Sequence, residues 1–277
     1  MMSWLCGLVG DGIAKSRSPA MHEREARNLG IPLVYRLADT AEWQGGGGAL
    51  ADILEWMERF GFNGTNVTHP YKQAVIPLLD TLSDAARAIG AVNTVVFRDG
   101  KRIGHNTDWS GYAANFRRTL PDASLQRVGQ VGAGGAAAAV AYALLSMGAA
   151  RLDLFDVATE RAAALGDRLG NLFPEAQVTV ATCVADVIAE ASGVVQTSPI
   201  GMDSHPGTPF SASLLQSRQW FSEVIYFPRE TELLAAARVK GCQTVSGIGM
   251  AVFQAADAFE LFTGLVPDRE RMLKEFD

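Results

Sequence analysis

The sequence predicts an α/β protein built from two domains, and two observations carry this prediction. Short runs rich in β-branched residues alternate with Ala- and Leu-rich stretches along the chain, which is typical of parallel strands joined by crossover helices. Within residues 126–150, one such run enters a glycine-rich turn and then a long Ala-rich stretch. With 277 residues and 48% hydrophobic content, the chain can bury a core in each domain.

The first hundred residues predict a strand-rich unit that also contains helices. A run of four glycines, Gly45–Gly48, would weaken any regular element, so we expect it in a flexible loop before the next helix. That helix holds Ile53–Phe60, and the expected strands are Leu5–Val9, Leu33–Leu37, Gly64–Val67 and Ala91–Arg98.

The second half predicts a doubly wound parallel sheet of the Rossmann type. Its final segment, Gly247–Asp277, predicts one amphipathic helix and a tail that packs back on the first domain. The expected strands are Gln126–Val131, Arg151–Phe155, Val178–Ala181, Gly193–Thr197 and Glu223–Tyr226.

Composition excludes several classes of function. The net charge is −6 and no Lys/Arg cluster is present to neutralise phosphates, so nucleic acid is not an expected partner. Cys6, Cys183 and Cys242 lack a CxxC spacing, which argues against a disulfide framework and a zinc site; no other metal cluster stands out. The opening apolar run lacks preceding basic residues, and residues 132–150 are mostly Ala and Gly. We therefore expect a cytoplasmic protein without a membrane partner.

The glycine-rich turn is a candidate cofactor site. In Gly132-x-Gly134-x-x-Ala137 the first glycine permits a tight turn, the second lets the backbone approach a pyrophosphate, and the small third residue lets helix pack on strand. Amides at the helix N-terminus then face the phosphates. Gly/Ala-rich helix starts also occur in ordinary cores, but the strand before this one and the helix after it favour a dinucleotide site.

Asp156, at the end of the next predicted strand, indicates which dinucleotide is preferred. A carboxylate there can accept hydrogen bonds from an adenosine ribose. It would also repel a 2′-phosphate, by roughly 4 kcal/mol for charges about 4 Å apart at an effective dielectric near 20, before screening. The sequence therefore predicts NAD, with NADP disfavoured. Arg161, one helical turn on, can stack on adenine or offset part of that repulsion.

Four polar clusters, each near a predicted strand end, form a second candidate site. Ligands of open α/β sheets bind at strand ends, and an amine, a carboxylate, amides and several hydroxyls suit a polyhydroxylated carboxylic acid. Viewed singly, Ser18 is a turn former before proline, Asn93 a strand-end cap, and Lys72 with Asp108 a surface salt bridge. The clusters are Ser16-Arg17-Ser18-Pro19, the run Asn66-Val67-Thr68-His69-Pro70-Tyr71-Lys72, Ala91-Val92-Asn93-Thr94 and Asn106-Thr107-Asp108.

Together these clusters resemble the shikimate dehydrogenase family, and the resemblance runs over essentially the whole chain. The matching segments, in the family's order, are SRSPAMH, GTNVTHPYK, GAVNTV, GHNTD, GAGGAAAA, SPIGM and GIGMAVFQAADAFELFTG. So many ordered segments make chance agreement remote.

The resemblance implies a substrate-binding and catalytic domain at 1–109, completed by 247–277, and a Rossmann NAD-binding domain at 110–246. It implies interconversion of shikimate and 3-dehydroshikimate by hydride transfer, with Lys72 as the acid/base and Asp108 as its partner. The implied substrate-binding residues are Ser16, Ser18, Thr68, Asn93, Tyr226 and Gln254. The implied cofactor-binding residues are Gly132, Ala133, Gly134, Gly135, Ala136, Asp156, Arg161, Ser198, Met202, Val224 and Gly247.

Departures from the family pattern keep alternatives open. NADP-using members usually carry Asn-Arg-Thr where this chain has Asp156-Val157-Ala158, which again favours NAD. Lys15 and Glu23 change the loop that shapes the ring pocket, so quinate or an analogue such as aminoshikimate is an alternative substrate. A non-catalytic NAD sensor would not need an acid/base pair, so Lys72 and Asp108 argue against it. We expect a monomer or a homodimer that takes a small hydroxy acid.

Overall fold

A computed structural model describes residues 3–42 and 50–276 of the chain. The glycine run predicted to form a loop, Gly45–Gly48, lies outside these residues. The chain divides into two compact units, Met1–Thr107 with Val252–Asp277 and Asp108–Ala251, which we call the first and the second unit. No helix in the described part of the chain has the length and apolar character needed to cross a membrane.

The first unit is built on a mixed six-stranded sheet in the order β2-β1-β3-β5-β6-β4. The strands β1, β2 and β3 run parallel to one another, whereas β5 is antiparallel to both β3 and β6. These strands are β1 Trp4–Gly10, β2 Leu33–Asp39, β3 Gly64–Val67, β4 Thr81–Leu82, β5 Thr94–Arg98 and β6 Lys101–His105. The helices of this unit are α1 Ser18–Asn28, α2 Leu50–Arg59, α3 Asp84–Ile89 and, near the C-terminus, α10 Arg269–Lys274.

Strand register brings the candidate loops of the first unit together. Val9 pairs with Val67 across β1 and β3, so both strands end at the same edge of the sheet. The loop after β1 therefore lies beside the loop after β3, and the Asp11 amide donates to the His69 carbonyl at 3.0 Å. The polar runs Ser16–Ser18 and Thr68–Lys72 are the two loops placed at this edge.

The second unit is a parallel six-stranded sheet in the order β12-β11-β10-β7-β8-β9, as predicted for a doubly wound fold. Its strands are β7 Val128–Val131, β8 Arg151–Phe155, β9 Gln177–Val180, β10 Gly193–Gln196, β11 Trp220–Glu223 and β12 Gln243–Val245. Its helices are α4 Asp108–Thr119, α5 Ala137–Ser146, α6 Thr159–Leu172, α7 Val184–Ala189 and α8 Glu232–Val239. A further helix, α9 Gly247–Thr263, begins in this unit and contributes its later residues to the first.

The order of the parallel strands locates the crevice of the second unit. From β7 the chain continues to β8 and β9 on one side of the sheet, and from β10 it continues to β11 and β12 on the other side. The strands β7 and β10 are hydrogen-bonded neighbours, so the strand order reverses between them. Ligands of open α/β sheets bind beyond the carboxyl ends of the strands at this reversal. The glycine-rich turn follows β7, and the segment Thr197–Met202 follows β10. Helix α5 begins at the end of that turn, and most of its Ala-rich residues are buried in the core of the unit.

Some elements differ from those predicted. The strand expected at Glu223–Tyr226 lies at Trp220–Glu223, because the apolar residues Val224–Tyr226 follow it and the polar residues Ser222 and Glu223 are buried at its end. The short strands β4, β6 and β12 were not predicted. For β6 a signal existed in the turn Asp99-Gly100, where both residues have positive φ, 53° and 68°, as tight hairpins require. The C-terminal tail also forms the helix α10, which was not predicted.

Candidate active site

The loop after β1 is held by a buried carboxylate. Asp39, at the end of β2, accepts a hydrogen bond from the Gly12 amide at 2.8 Å and one from the Ala41 amide at 3.2 Å. The two predicted serines follow in this loop, and Ser16 Oγ donates to Ser18 Oγ at 3.2 Å while accepting from the Ser18 amide. The serines are thus a pair fixed to each other at the start of α1.

The segment that carries Lys72 is anchored along its backbone. The Thr68 amide donates to the Val9 carbonyl at 2.9 Å, and the Val92 amide donates to the Lys72 carbonyl at 2.8 Å. The Tyr71 hydroxyl donates to Thr40 Oγ1 at 2.9 Å. Thr68 also packs against Gly10, where a Cβ atom would lie 2.4 Å from the threonine methyl. Lys72 therefore projects from a short segment whose two ends are fixed to β1 and to the residues before β5.

Asn93 is the centre of a buried amide cluster in the first unit. Its Oδ1 accepts from the Thr107 amide at 2.7 Å, and its Nδ2 donates to Thr107 Oγ1 at 3.0 Å and to Gln254 Oε1 at 3.4 Å. Asn93 and Thr107 expose only 3% of their surface each. The structure thus brings Asn93 beside Gln254, two predicted substrate residues that are 161 positions apart in the chain.

The turn after β7 offers backbone amides to a ligand. Gly132 has a φ of 107°, and a Cβ there would lie 2.8 Å from the Ser198 amide nitrogen, so only glycine fits. A Cβ at Gly134 or Gly135 would meet nothing within 4 Å. Within the described part of the chain, the amides of Gly134, Gly135 and Ala136 donate to no protein group. The turn is therefore closed on its Gly132 side and open where a phosphate would approach.

Asp156 holds the glycine-rich turn from the end of β8. Its Oδ2 accepts from the Ala133 amide at 2.7 Å, and its Oδ1 accepts from the Ala158 amide at 2.8 Å. Ala133 therefore acts in this turn by fixing Asp156, since its own amide is already donated. A carboxylate has about four acceptor positions, so two remain for further donors. Val157 is 93% exposed, and Arg161 is an exposed residue of α6.

Gln196, which was not predicted as a site residue, organises the segment after β10. Its Nε2 donates to the Ile200 carbonyl at 2.8 Å, and its Oε1 accepts from the Ser198 amide. The Thr197 hydroxyl donates to the Gly132 carbonyl at 2.9 Å, which joins this segment to the glycine-rich turn. The predicted cofactor residues Ser198 and Met202 thus lie on a braced loop at the reversal of the sheet.

Val224 and Gly247 meet backbone to backbone. The Gly247 amide donates to the Ile225 carbonyl at 3.1 Å, and a Cβ at Gly247 would lie 2.3 Å from the Val224 carbonyl carbon and oxygen. The Val224 amide in turn donates to the Gln196 carbonyl at 3.2 Å. The second unit therefore gathers its predicted cofactor residues at the carboxyl ends of β7, β8, β10 and β11.

Asp108 and Tyr226 are predicted site residues of the second unit that interact electrostatically. Asp108 is the first residue of α4 and is 6% exposed, in a position where the helix dipole favours a carboxylate. Desolvation and the Asp108 charge raise the pKa of Tyr226, which keeps its proton at neutral pH. Lys72 belongs to the first unit.

Sequence reasoning missed several polar residues that connect the predicted ones. Asn66, Thr94 and Thr107 lay inside the polar clusters, and their position at strand ends was a usable signal. Gln196 ends β10 directly before Thr197 and Ser198, so the same signal applied to it, whereas nothing local marks Tyr35 inside β2. The missed residues, all buried, are Tyr35, Asn66, Thr94, Thr107 and Gln196.

The arrangement of the second unit fits a dinucleotide. The amides of Gly134, Gly135 and Ala136 donate to no described protein group, and a Cβ at Gly134 or Gly135 would meet nothing within 4 Å among the described residues. A carboxylate at the end of β8 keeps acceptor capacity beside this turn. This is the donor and acceptor set needed for a pyrophosphate and an adenosine ribose. In the first unit, hydroxyls and amides from four separate segments suit a polyhydroxylated acid.

Two family models match parts of the chain. Residues 8–95 match the model of the shikimate dehydrogenase substrate binding domain. Residues 247–275 match the model of the shikimate 5′-dehydrogenase C-terminal domain.

Individual relatives match over nearly the full length. The chain is 50% identical over 276 residues to a shikimate dehydrogenase (NADP(+)) of Pseudarthrobacter chlorophenolicus, covering 99% of this chain and 94% of the relative. It is also 50% identical over 277 residues to a quinate/shikimate dehydrogenase (NAD(+)) of Corynebacterium glutamicum, covering 99% and 98%. A solved structure of quinate dehydrogenase from Corynebacterium glutamicum in complex with NAD superimposes with a TM-score of 0.93, at 50% identity and 98% coverage of both chains.

Proposed function

The chain belongs to the shikimate dehydrogenase family, whose members are NAD(P)-linked oxidoreductases acting on a CH–OH group, and we propose that it prefers NAD and acts on shikimate. Quinate is the second candidate substrate. The observation that carries the cofactor proposal is Asp156, a carboxylate hydrogen-bonded to the glycine-rich turn at the end of β8.

Electrostatics supports the preference for NAD. The two amides that donate to Asp156 fix its carboxylate at the turn, and its remaining acceptor positions suit the two hydroxyls of a ribose. A 2′-phosphate would bring a second negative charge to the same place. Val157, the next residue, is exposed and apolar, so it supplies no cation to bind that phosphate. Arg161 remains nearby in sequence and limits how strict the preference is.

The cofactor would be held by the second unit. Gly134, Gly135 and Ala136 would bind the pyrophosphate through their amides, and Asp156 would bind the ribose. Residues of the loop after β10 and at the start of α9 would line the nicotinamide end, namely Ser198, Met202, Val224 and Gly247. When bound, the nicotinamide ring accepts a hydride from the carbinol carbon of the substrate or returns it.

The substrate would be held chiefly by side chains of the first unit. Ser16 and Ser18 are hydroxyl donors suited to a carboxylate, whereas Thr68, Asn93 and Gln254 offer hydroxyl and amide groups to the ring hydroxyls. Tyr226 of the second unit keeps its proton and can donate to the carboxylate.

Lys72 and Asp108 would handle the hydroxyl proton. Oxidation of the ring hydroxyl releases a proton from its oxygen, and the Lys72 amine would take it, then return it in the reverse direction. Asp108, a buried carboxylate at the start of α4, would orient the amine and accept a hydrogen bond from a neighbouring ring hydroxyl.

Quinate is favoured as the second substrate by one observation. The relatives whose names specify NAD(+) are also named for quinate, and this chain carries the carboxylate that favours NAD. Quinate has one ring hydroxyl more than shikimate, so the choice depends on spare acceptors around the ring.

Initial-rate measurement of NADH or NADPH formation tests the proposal. Purified protein is assayed with shikimate and with quinate, each with NAD and with NADP, by absorbance at alkaline pH. We expect turnover of shikimate with NAD at the highest kcat/KM of the four combinations. Quinate turnover above shikimate turnover would reassign the substrate, and a lack of turnover in all four combinations would contradict the proposed function.

A further inference from the structure

Tyr35 connects β2 to a part of the proposed substrate site that is distant in sequence. It lies in the middle of β2 and is 3% exposed. Its hydroxyl donates to Asn66 Oδ1 at 2.7 Å. The Tyr35 oxygen is therefore fixed to an amide side chain of β3.

Packing fixes the ring of Tyr35. The imidazole of His22 stacks on it at 4.5 Å between ring centroids, and Phe259 and Phe262 lie 6.0 Å from that imidazole. Burial lowers the pKa of His22 to about 3, so the imidazole is neutral and acts here as an aromatic surface. The hydroxyl is thus the polar end of a ring that is otherwise held by aromatic contacts.

Backbone groups determine the direction of these hydrogen bonds. Asn66 Nδ2 faces the Asn93 carbonyl at 3.2 Å, and a carbonyl can only accept. The Asn66 amide oxygen is therefore the atom that faces Tyr35, so the tyrosine must donate its proton to it. A second backbone group, the Thr107 amide, fixes Asn93 in the same way, since an amide can only donate to its Oδ1 at 2.7 Å.

With both amides fixed, the hydrogen bonds form one chain with a single direction. Asn66 Nδ2 donates to Thr94 Oγ1 at 2.9 Å, and Thr94 donates to Asn93 Oδ1 at 3.0 Å. Asn93 Nδ2 then points toward Gln254. In order of donation, the members are Tyr35, Asn66, Thr94, Asn93 and Gln254.

We propose that Tyr35 is a positioning residue for the substrate, which it serves by fixing Asn93 and Gln254 through Asn66 and Thr94. This inference rests on the proposed function, which assigns Asn93 and Gln254 to the substrate. Buried hydrogen bonds in sequence polarise one another, and each link keeps the next side chain in one orientation. Removing the Tyr35 hydroxyl leaves Asn66 Oδ1 buried without this donor and loosens the orientation of the side chains that follow.

Kinetics of Tyr35→Phe test the proposal, because this change removes one oxygen and keeps the ring. We expect the KM for shikimate to rise roughly tenfold, the range expected for one lost buried hydrogen-bond partner. The kcat and the KM for NAD should stay within about twofold of the unaltered protein, since no group of the acid/base pair or of the second unit is changed. A general structural defect would change kcat and the KM for NAD as well as the KM for shikimate.

Tyr112→Phe is the matched control. Tyr112 is also a buried tyrosine, 1% exposed, and its hydroxyl is hydrogen-bonded to Ser222 at 3.2 Å within the second unit. We expect it to leave the KM for shikimate unchanged. If Tyr35→Phe does not fold, Thr94→Val breaks the same chain two links further on and should raise the same KM.

A double-mutant cycle with Thr94→Val tests the coupling itself. If Tyr35 acts through Thr94, the double variant should raise the KM much less than the product of the two single effects. Effects that multiply, or a KM of Tyr35→Phe within twofold of the unaltered protein, would overturn the inference and leave the proposed function intact. Failure of the unaltered protein to oxidise shikimate or quinate would overturn both.

Discussion

The two units build their proposed ligand sites from different groups, backbone amides in the second unit and side chains in the first. In the second unit, the turn after β7 presents backbone amides to an open space, and one carboxylate, Asp156, is fixed beside it. In the first unit, side chains from four segments form a buried hydrogen-bonded network around Asn93. A backbone site depends on turn geometry, which a few neighbouring glycines encode. A side-chain site depends on contacts that no single segment encodes.

The largest effect should come from the side-chain site of the first unit. Lys72→Ala removes the proposed acid/base, so we expect kcat to fall at least about a hundredfold while the KM for NAD changes little. Steady-state kinetics with shikimate measure both constants. Lys101→Ala, an exposed lysine at the start of β6, is the control and should keep full activity. Unchanged turnover of Lys72→Ala would remove this residue from the mechanism.

In the second unit, Asp156 should be the side chain on which cofactor choice depends. Asp156→Ala removes the charge that repels a 2′-phosphate and the acceptor for the ribose, so we expect the ratio of kcat/KM for NADP to that for NAD to rise roughly ten- to a hundredfold. The same ratio for Asp167→Ala, an exposed carboxylate of α6, should not move. A ratio that also stays constant in Asp156→Ala would mean that the backbone alone selects the cofactor.

Substitution of two glycines distinguishes the contribution of the backbone turn to stability from its contribution to NAD binding. Gly132→Ala forces a side chain into a positive φ and against the Ser198 amide, so we expect a loss of about 1–3 kcal/mol in the free energy of unfolding. A Cβ at Gly134 meets none of the described residues within 4 Å, so Gly134→Ala should keep the melting temperature and weaken NAD binding roughly tenfold by filling space beside the phosphates. Thermal unfolding and NAD titration of both variants check this, and equal melting temperatures would contradict it.

The smallest effect concerns Glu223, a buried carboxyl at the end of β11. Burial raises the pKa of Glu223 from 4.5 to about 7, and a hydrogen bond from Thr231 offsets part of the rise. The folded protein therefore holds this proton more tightly than the unfolded chain does. Its stabilising contribution is complete below pH 4.5 and is lost as the pH rises toward 7.

Glu223→Gln keeps the acceptor for Thr231 and cannot ionise. We expect its melting temperature, relative to that of the unaltered protein, to rise by a few degrees between pH 5 and pH 8, as about one or two kcal/mol would produce. Glu232→Gln, an exposed residue at the start of α8, should show no such trend. A constant difference for Glu223→Gln across this range would show that the carboxyl stays ionised.

The bounds of individual strands show how far the sequence predicts the fold. The strands Gly64–Val67 and Arg151–Phe155 were predicted with the bounds they have, although Asn66 and Asp153 are buried inside them. Strand β11 was predicted three residues late, because the apolar residues Val224–Tyr226 follow it and the polar residues Ser222 and Glu223 are buried at its end. A buried polar residue alone therefore does not hide a strand, but apolar residues just beyond its end shift the predicted bounds.

How much of the candidate site the sequence predicts differs between the two units. The glycine-rich turn and Asp156 could be recognised from their spacing, because that site is built from consecutive residues and the next strand. Asn93 and Gln254 could be named from a family resemblance, but their contact across 161 positions is visible only in the fold. Tyr35 carries no local signal, since a tyrosine in an apolar strand is most often a core residue.

Equilibrium binding of NAD and of NADP to the unaltered protein, by isothermal titration calorimetry without substrate, tests the central claim most directly. The claim is that one carboxylate, fixed on a backbone-built turn, selects the cofactor. It predicts a dissociation constant for NAD that is at least about tenfold lower than that for NADP at low ionic strength, with a smaller ratio at high salt. Equal affinities, or tighter binding of NADP, would contradict it.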